Sequence, residues 1–281
     1  MDKLLLVDGS NLLFQMFFGM PARIFNRNGK AVHGTVGFIG ALLKIIRMTS
    51  PTHIAVLFDG EHENARAALN AQYKANRPDY SEVPKEECLF TQLPDIYAAL
   101  DVLKIKHAET TVCETDDWIA SYAFNYGNAI QVIISSFDSD YFQLISDRVS
   151  VLRYRGEKTA ICTSDFLRSH FGIAPAQYAD FKALVGDAAD NLKGAEKVGP
   201  KTAALLLKEF GTLANLLAHA EQIKRQVIRE SVLGSANRLK MNYKLIKLTD
   251  GATLPFRLDE LKIESINLTA SETLKAIGLL P

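Results

Sequence analysis

The sequence predicts an α/β domain with a mostly parallel central sheet flanked by helices, followed by a helical region. Short apolar runs such as Leu4–Val7 and Ile54–Phe58 alternate with segments of helical periodicity, which is typical of parallel strands joined by helices. Acidic residues stand at or just past the ends of several runs. Beyond about residue 163 the patterns are helical. We therefore expect an α/β domain over residues 1–185 and a helical region over residues 186–281.

The individual elements follow from these patterns in chain order. A strand at 3–8 leads into an irregular segment with Gly29 and Gly34, and a helix at 35–49 comes next. Residues 60–83 are expected to begin as helix and to end as loop. The later elements are strands at 53–58, 130–136 and 149–153 and helices at 85–102 and 115–127. Breaks in the helical region are predicted at Pro175, Gly186, Gly194, Gly199 and Gly211.

The composition is that of an ordinary globular protein with an uneven distribution of charge. The 281 residues are 48% hydrophobic, which excludes a disordered chain, and the net charge is zero. Between Lys193 and Lys247, however, eleven Lys or Arg stand against four Glu, a local balance of +7. A basic region beside an acidic cluster suits a polyanionic substrate that one region holds and the other cleaves.

The cysteines favour a reducing compartment, and the hydropathy argues against a membrane segment. The three cysteines, Cys88, Cys113 and Cys162, have no metal-binding spacing, and their odd number argues against a disulfide framework. No apolar run reaches 18 residues, so we expect neither a membrane span nor a signal peptide. A cytoplasmic monomer that does not contact membranes is the expectation. We expect the chain that ends at Pro281 to be a free-standing protein.

Acidic residues at the ends of strands predict a metal site. In a parallel sheet the carboxyl ends of the strands meet at one edge, where ligands bind. Carboxylates gathered there repel each other, and a divalent cation relieves that repulsion. Oxygen ligands without cysteine suit Mg²⁺ or Mn²⁺. The candidate ligands are Asp8, Asp59, Glu114, Asp116, Asp117, Asp138, Asp140, Asp187 and Asp190.

Several of these acids have a simpler interpretation. Glu114 to Asp117 open a helix, where acids also serve as caps. Asp138-Ser-Asp140 could begin a calcium loop, but Gln143 and Val149 stand where that loop needs Gly and Glu. Asp187 and Asp190 are three residues apart, on one face if helical, but could equally form the turn at the end of a helix.

Two basic segments are candidate contacts to a nucleic acid. Arg66, Tyr73, Lys74 and Arg77 have spacings that place them on roughly one side of a helix, which suits phosphate pairing and base stacking, although a solvated surface helix would look the same. Gly194 to Thr202 lacks the spacing of a nucleotide-triphosphate loop.

The second segment is better explained as a tight turn onto a helix. Pro200 suits the first helical position, and the free amides of a helix start bind phosphate. Lys201 adds a positive charge beside them. An ordinary helix–turn–helix corner is the alternative. If the turn needs a positive φ at Gly199, a β-branched residue would be costly there.

Taken together and in order, these segments resemble the bacterial 5′ nucleases, which comprise free-standing flap endonuclease-like 5′–3′ exonucleases and the N-terminal 5′ nuclease domain of DNA polymerase I. The resemblance covers most of residues 3–210. The matching residues are Leu5 to Asn11, Phe58-Asp59, Arg66, Tyr73 to Pro78, Glu114 to Asp117, Asp138 to Asp140 with Gln143-Leu144, Gly186 to Asn191, and Val198 to Ala203.

The resemblance implies a PIN-like 5′ nuclease fold with two metal sites. It assigns Asp8, Asp59, Glu114 and Asp116 to the first metal, and Asp138, Asp140 and Asp190 to the second, toward which Asp116 also reaches; Asp117 and Asp187 match further acids of the bacterial branch. It implies that Lys74 and Arg77 lie on an arch or gateway segment, about residues 60–100, and meet the scissile phosphate. It also implies a helix–three-turn–helix element at about 186–210. In that element Val198, Gly199, Lys201 and Thr202 would hold duplex DNA, with K⁺ often bound at the turn.

The sequence departs from the family pattern at four positions. Phe137 stands where Gly is usual and Ser139 where Lys is common, which could reshape the loop of Asp138 and Asp140. Ala65 replaces a usual Phe. Lys197 replaces the first Gly of the turn at which the resemblance implies K⁺.

The function expected from the resemblance is two-metal hydrolysis of DNA at or near 5′ ends and 5′-flap junctions, in replication or repair. The alternatives are a ribonuclease of a related acid-rich fold and a flap-DNA-binding protein with weak or no catalysis.

Overall fold

The structure is a computed structural model that describes residues 2–60, 65–76, 83–84 and 88–280. A six-stranded sheet lies at its centre. The strands are β1 (Lys3–Asp8), β2 (His53–Phe58), β3 (Lys106–Glu109), β4 (Gln131–Ser135), β5 (Val149–Arg153) and β6 (Ala160–Cys162). Their order is β3-β2-β1-β4-β5-β6, and all pairs are parallel except β5 with β6. The predicted fold class is confirmed.

The helices cover both faces of this sheet. They are α1 (Gly9–Gly19), α2 (His33–Thr49), α3 (Ala65–Leu69), α4 (Leu93–Val102), α5 (Thr115–Tyr126), α6 (Ser164–His170), α7 (Tyr178–Val185), α8 (Pro200–Phe210), α9 (Leu213–Ala218), α10 (Gln226–Ile246) and α11 (Ala270–Ala276). A two-stranded hairpin of β7 (Gly186–Asp187) and β8 (Leu192–Lys193) joins α7 to the helices that follow.

The pleat of the central strands explains why the core has two halves. In β1, Leu4 and Leu6 point into one hydrophobic cluster, and Leu5 and Val7 point into the other, because successive side chains alternate across a sheet. Helices α1, α2, α4 and α11 cover the second cluster, while α5 and α7 to α10 contribute to the first. The helical C-terminal region therefore shares a core with the sheet. The boundary near residue 185 stays a prediction.

The prediction of an irregular segment after β1 holds for residues 20–32 but is wrong for residues 9–19, which form α1. Asp8 caps α1 by accepting a hydrogen bond from the Asn11 amide at 2.9 Å. Leu12, Leu13 and Phe17 bury one side of the helix. The prediction missed this helix because the chain passes directly from a buried strand into it.

Two strands at the edges of the sheet were also missed. β3 has the sequence Lys-His-Ala-Glu, which is not an apolar run, and β6 is apolar but has only three residues, too few to predict a strand. Each has one neighbour in the sheet and needs little apolar surface.

Among the residues that the structure describes, no helix combines the length and the apolar character that a membrane span requires.

The segment after β2 contains a helix followed by turns, as predicted, but the helix is too short to place Arg66, Tyr73 and Lys74 on one side. α3 ends at Leu69, residues 71–76 form turns, and Lys74 has a φ of +57°. Arg66, Tyr73 and Lys74 therefore do not share one helical side. Arg77 lies outside the described residues.

Asp187 and Asp190 lie on the β7–β8 hairpin and its turn, directly after α7, so they form a turn at the end of a helix and do not share a helical face. Gly186 has a φ of +89°, and a Cβ there would lie 2.5 Å from the Gly194 amide nitrogen. A Cβ on Gly194 would lie 2.3 Å from the Leu184 carbonyl oxygen. Both positions require glycine, because the hairpin folds back tightly on the end of α7.

Candidate active site

The carboxyl edge of the sheet collects acids from three adjacent strands. Asp8 ends β1, which lies between β2 and β4. Asp59 directly follows β2, and Asp138 lies three residues beyond β4. Because these strands are parallel, their ends bring the acids to one side of the molecule.

The start of α5 adds two further acids. Glu114 precedes the helix, and Asp116 lies in its first turn. The Thr115 amide donates a hydrogen bond of 2.9 Å to Asp59 Oδ1, which joins the helix start to the end of β2. The N-terminal end of a helix favours negative charge, so α5 stabilises the acids around it.

The third group, here called the hairpin group, combines Asp187 and Asp190 of the hairpin segment with Asp140 from the loop after β4. Oxygens of Asp140, Asp187 and Asp190 lie within 4.8 Å of one another. Asp140 and Asp190 are buried, at 5% and 6% exposure, and Asp187 is half-buried. All donors are carboxylate oxygens, the set that Mg²⁺ and Mn²⁺ prefer. The residues therefore fit a divalent ion.

Burial perturbs the ionisation of these acids. Burial, together with the charges of Asp59 and Asp116, raises the pKa of Asp8 well above its ordinary value. Burial likewise raises the pKa of Asp138. Burial also raises the pKa of Asp140 to about 7, and the charge of Asp138 adds to this effect. Acids held this way bind a dication in exchange for protons.

Lys182, which the sequence analysis missed, lies between two acids of the hairpin group. Its ammonium pairs with Asp140 and with Asp187, and its side chain is only 8% exposed. Burial opposes ionisation of Asp187, but Lys182 outweighs it and lowers the pKa of that carboxyl. The sequence signal was present, since Lys182 is the one cation in the apolar helix α7.

Two more cations converge on Glu114. Lys74 Nζ lies 2.5 Å from Glu114 Oε1, and Arg66 pairs with the other oxygen of Glu114. Arg66 also pairs with Oδ1 of Asp117, whose Oδ2 accepts a hydrogen bond of 3.2 Å from the Glu114 amide. Both oxygens of Asp117 are thus engaged by protein donors, as in a helix cap.

The turn of residues 71–76 is anchored on the hairpin. The Lys74 amide donates to the Asp190 carbonyl at 3.1 Å, and the Asn76 amide group donates to the Ala188 carbonyl at 2.9 Å. The Asn191 side chain returns a hydrogen bond of 2.8 Å to the Gln72 carbonyl. Lys74 is therefore positioned between α5 and the hairpin that carries Asp190.

Tyr73 is part of the core. It is 5% exposed, belongs to the same hydrophobic cluster as Leu4, and supports the Lys74 ammonium 4.9 Å from its ring centroid. A ring buried in this way has no free face for a nucleotide base. The prediction that Tyr73 stacks on a base is corrected.

The loop after β4 keeps its acids at the edge of the sheet despite the unusual residue Phe137. The Phe137 amide donates to Asn11 Oδ1 at 2.9 Å, and its carbonyl accepts a bond of 2.7 Å from Arg153. The Asp140 amide donates to Asp138 Oδ1 at 2.8 Å. These bonds hold the loop of Asp138 and Asp140 at the edge of the sheet with Phe137 in place of glycine.

The second basic segment forms a tight turn before α8, with Pro200 at the start of the helix as predicted. Val198 is 3% exposed and anchors the turn, Lys201 is exposed, and Thr202 is half-buried. Gly199 has a φ of −82°, so no positive φ is needed there. The left-handed residue is Lys197, with a φ of +60°.

Comparison with known proteins gives a consistent result. Residues 3–172 match the family described as 5′-3′ exonuclease, N-terminal resolvase-like domain, and residues 173–269 match 5′-3′ exonuclease, C-terminal SAM fold. The chain is 31% identical over 269 residues to a 5′-3′ exonuclease of Aquifex aeolicus (strain VF5), covering 95% of this chain and 89% of that protein.

Longer relatives and solved structures are also similar. The chain is 34% identical over 260 residues to the thermostable DNA polymerase I of Thermus thermophilus, covering 92% of this chain and 30% of the polymerase, so it spans about a third of that relative. A bacteriophage T5 flap endonuclease, solved with DNA and metal ions, superposes with a TM-score of 0.69 at 22% identity over 87% of this chain and 88% of that one. At that identity the likeness shows the fold alone.

Proposed function

This chain belongs to the 5′-3′ exonuclease family, and we propose that it hydrolyses DNA phosphodiester bonds at or near free 5′ ends and 5′-flap junctions, using two divalent metal ions. The observation that carries the proposal is the convergence of acids from the sheet edge, from α5 and from the β7–β8 hairpin. Such a site on cellular DNA would serve replication or repair in the cytoplasm.

We assign two sets of ligands. Asp8, Asp59, Glu114 and Asp116 would hold one ion, and Asp138, Asp140, Asp187 and Asp190 the other. Ions held by these residues would supply an activated water and would stabilise the charge on the leaving oxygen. Asp117 is assigned to capping α5 and orienting Arg66, because both of its oxygens are already engaged. Mg²⁺ or Mn²⁺ is the proposed metal.

The cations take complementary roles. Lys74 would leave Glu114 for the scissile phosphate when a metal arrives, because the metal then neutralises Glu114. Arg77, the next cation of the segment, would assist it. Such preorganised positive groups stabilise the charge that develops on phosphate during cleavage.

Lys201 and the free amides at the start of α8 would hold the duplex backbone away from the cut. Val198, Gly199 and Thr202 would shape that contact, and Arg66 would act by orienting Glu114. K⁺ at this turn remains part of the proposal.

One assay tests the reaction. A 5′-flap substrate labelled at either end is incubated with Mg²⁺, Mn²⁺ or a chelator, using the wild type and Asp116→Asn. We expect cleavage near the junction with metal, none with chelator, and loss of cleavage but retained DNA binding in the variant. Undiminished cleavage in excess chelator would refute the proposal. Binding without cleavage under all conditions would favour a flap-DNA-binding protein.

The nature of the substrate is a separate question. A matched RNA flap serves as the control, and faster cleavage of RNA than of DNA would favour the ribonuclease alternative.

A further inference from the structure

Tyr141 carries a hydroxyl group into the acidic site from the interior of the protein. It lies in the short 3-10 helix Asp140–Leu144, directly after Asp140, and its side chain is fully buried. Its hydroxyl donates to Asp116 Oδ1 at 2.5 Å and lies 3.3 Å from Asp8 Oδ2. One phenol therefore bridges the end of β1 and the start of α5.

The geometry points to Tyr141 as a positioning residue for the metal ligands Asp8 and Asp116, an inference that rests on the proposed function. A phenol retains its proton at neutral pH and can donate one hydrogen bond. Carboxylates that bind a metal are oriented by such neighbouring donors, and losing one typically weakens metal affinity about 10- to 100-fold.

The surroundings of Asp8 support this role. Its Oδ2 accepts a hydrogen bond of 2.9 Å from the Ser136 hydroxyl, and its Oδ1 accepts one from the Asn11 amide. These bonds fix Asp8 from the strand side and the helix side. Asp116 lies on α5, so the Tyr141 hydroxyl contacts carboxylates that two separate elements carry.

The same short helix serves both proposed metal sets. Asp140, its first residue, pairs with Lys182 in the hairpin group, and Tyr141, its second, contacts the acids of the other set. Two neighbouring residues of one short helix thus contact acids of different metal sets. Displacement of this turn would alter both sets of ligands together.

A second buried tyrosine provides a matched control. Tyr122 is also fully buried in the same hydrophobic cluster, and its hydroxyl donates to the Phe256 carbonyl at 2.8 Å, away from the acids. Tyr141→Phe and Tyr122→Phe each remove one buried hydroxyl and keep the ring. Only the first removes a donor to a proposed metal ligand.

The experiment measures Mn²⁺ binding by titration calorimetry on the wild type and both variants, with thermal unfolding to confirm that each is folded. We expect Tyr141→Phe to raise the dissociation constant at least about tenfold. Tyr122→Phe should leave it unchanged. High Mn²⁺ should restore most of the single-turnover cleavage of Tyr141→Phe.

Three outcomes are decisive against the inference. Equal Mn²⁺ affinity in the wild type and Tyr141→Phe overturns it, even if both cleave DNA. Equal weakening in both phenylalanine variants overturns it as well, because the effect would then be general. A wild type that does not bind Mn²⁺ refutes the proposed function itself, and the inference with it.

Discussion

The ammonium of Lys182 is in direct contact with the carboxylate of Asp140, and both side chains are only 8% exposed. The pair lies at the junction of α7, the β7–β8 hairpin and the loop after β4. In the metal-free protein Lys182 provides positive charge among acids that otherwise repel each other. This relationship leads to the first two predictions.

Removing Lys182 should make the protein depend on metal for its stability. Lys182→Met leaves Asp140 and Asp187 without their buried partner, which typically costs about 3–5 kcal/mol. Mn²⁺ should recover much of this loss by supplying the missing charge. Thermal unfolding with chelator and with Mn²⁺ measures both effects. Lys208→Met, an exposed lysine on α8, is the control. A variant as stable as the wild type in chelator would contradict the prediction.

The metal-free protein should lose stability as the pH rises. Burial raises the pKa of Asp140 to about 7 in the folded chain, whereas an unfolded aspartate titrates near about 3.9. Between these values the folded chain keeps a proton that the unfolded chain has lost, so the free energy of unfolding falls with increasing pH.

Melting temperatures measured in chelator from about pH 5 to pH 8 test this, because that pH range covers the upper part of the interval between the unfolded and folded pKa values of Asp140. Saturating Mg²⁺ should flatten the curve, because the metal stabilises the ionised carboxylates. Asp140→Asn should also flatten it. Stability that rises with pH in chelator is the result that excludes this account.

Lys74 should act in the chemical step. Lys74→Ala removes a preorganised cation beside Glu114, so the single-turnover rate at saturating DNA should fall by about 10²–10³. Lys104→Ala is a matched control, because Lys104 is also a lysine with a positive φ, +55° against +57°, and is exposed. If Lys74→Ala weakens DNA binding and rate equally, Lys74 is a simple phosphate contact.

Lys201 should contribute to binding of duplex DNA without affecting cleavage. Lys201→Glu should weaken binding to flap and plain duplex alike, and should make the salt dependence shallower by roughly one phosphate contact. The control is Lys208→Glu, the same charge change in the last turn of the same helix. Loss of saturated turnover with unchanged affinity would place Lys201 in the active site instead.

Replacing Lys197 by glycine should stabilise the turn before α8. A non-glycine residue in the left-handed region costs about 1–2 kcal/mol, so Lys197→Gly, at a φ of +60°, should raise the melting temperature by a few degrees. Gly199→Ala should change little, because φ there is −82° and no atom lies within 4 Å of the added Cβ. A melting temperature that falls in Lys197→Gly and in Gly199→Ala alike would show that the strain lies elsewhere.

Sequence reasoning succeeded where one strand or one helix end decides the position of a residue. The apolar runs of β1, β2 and β4 predicted where Asp8, Asp59 and Asp138 would meet, because parallel strands end at a common edge. Pro200 predicted the start of α8 in the same local way. These features follow from backbone preferences and pleat, which the sequence carries directly.

Tertiary structure alone decided which groups contact each other. The burial of Tyr73, the pairing of Lys182 with Asp140 and the bridge from Tyr141 to Asp116 join residues from distant segments, and no local pattern encodes them. Sequence periodicity also does not show that the segment containing Asp187 and Asp190 turns back as a hairpin instead of continuing α7. By itself, the sequence determined that several carboxylates would lie close together at the carboxyl edge of the sheet. Packing decided which cations and hydroxyls stabilise it, because only in the folded chain does burial make an unpaired charge costly.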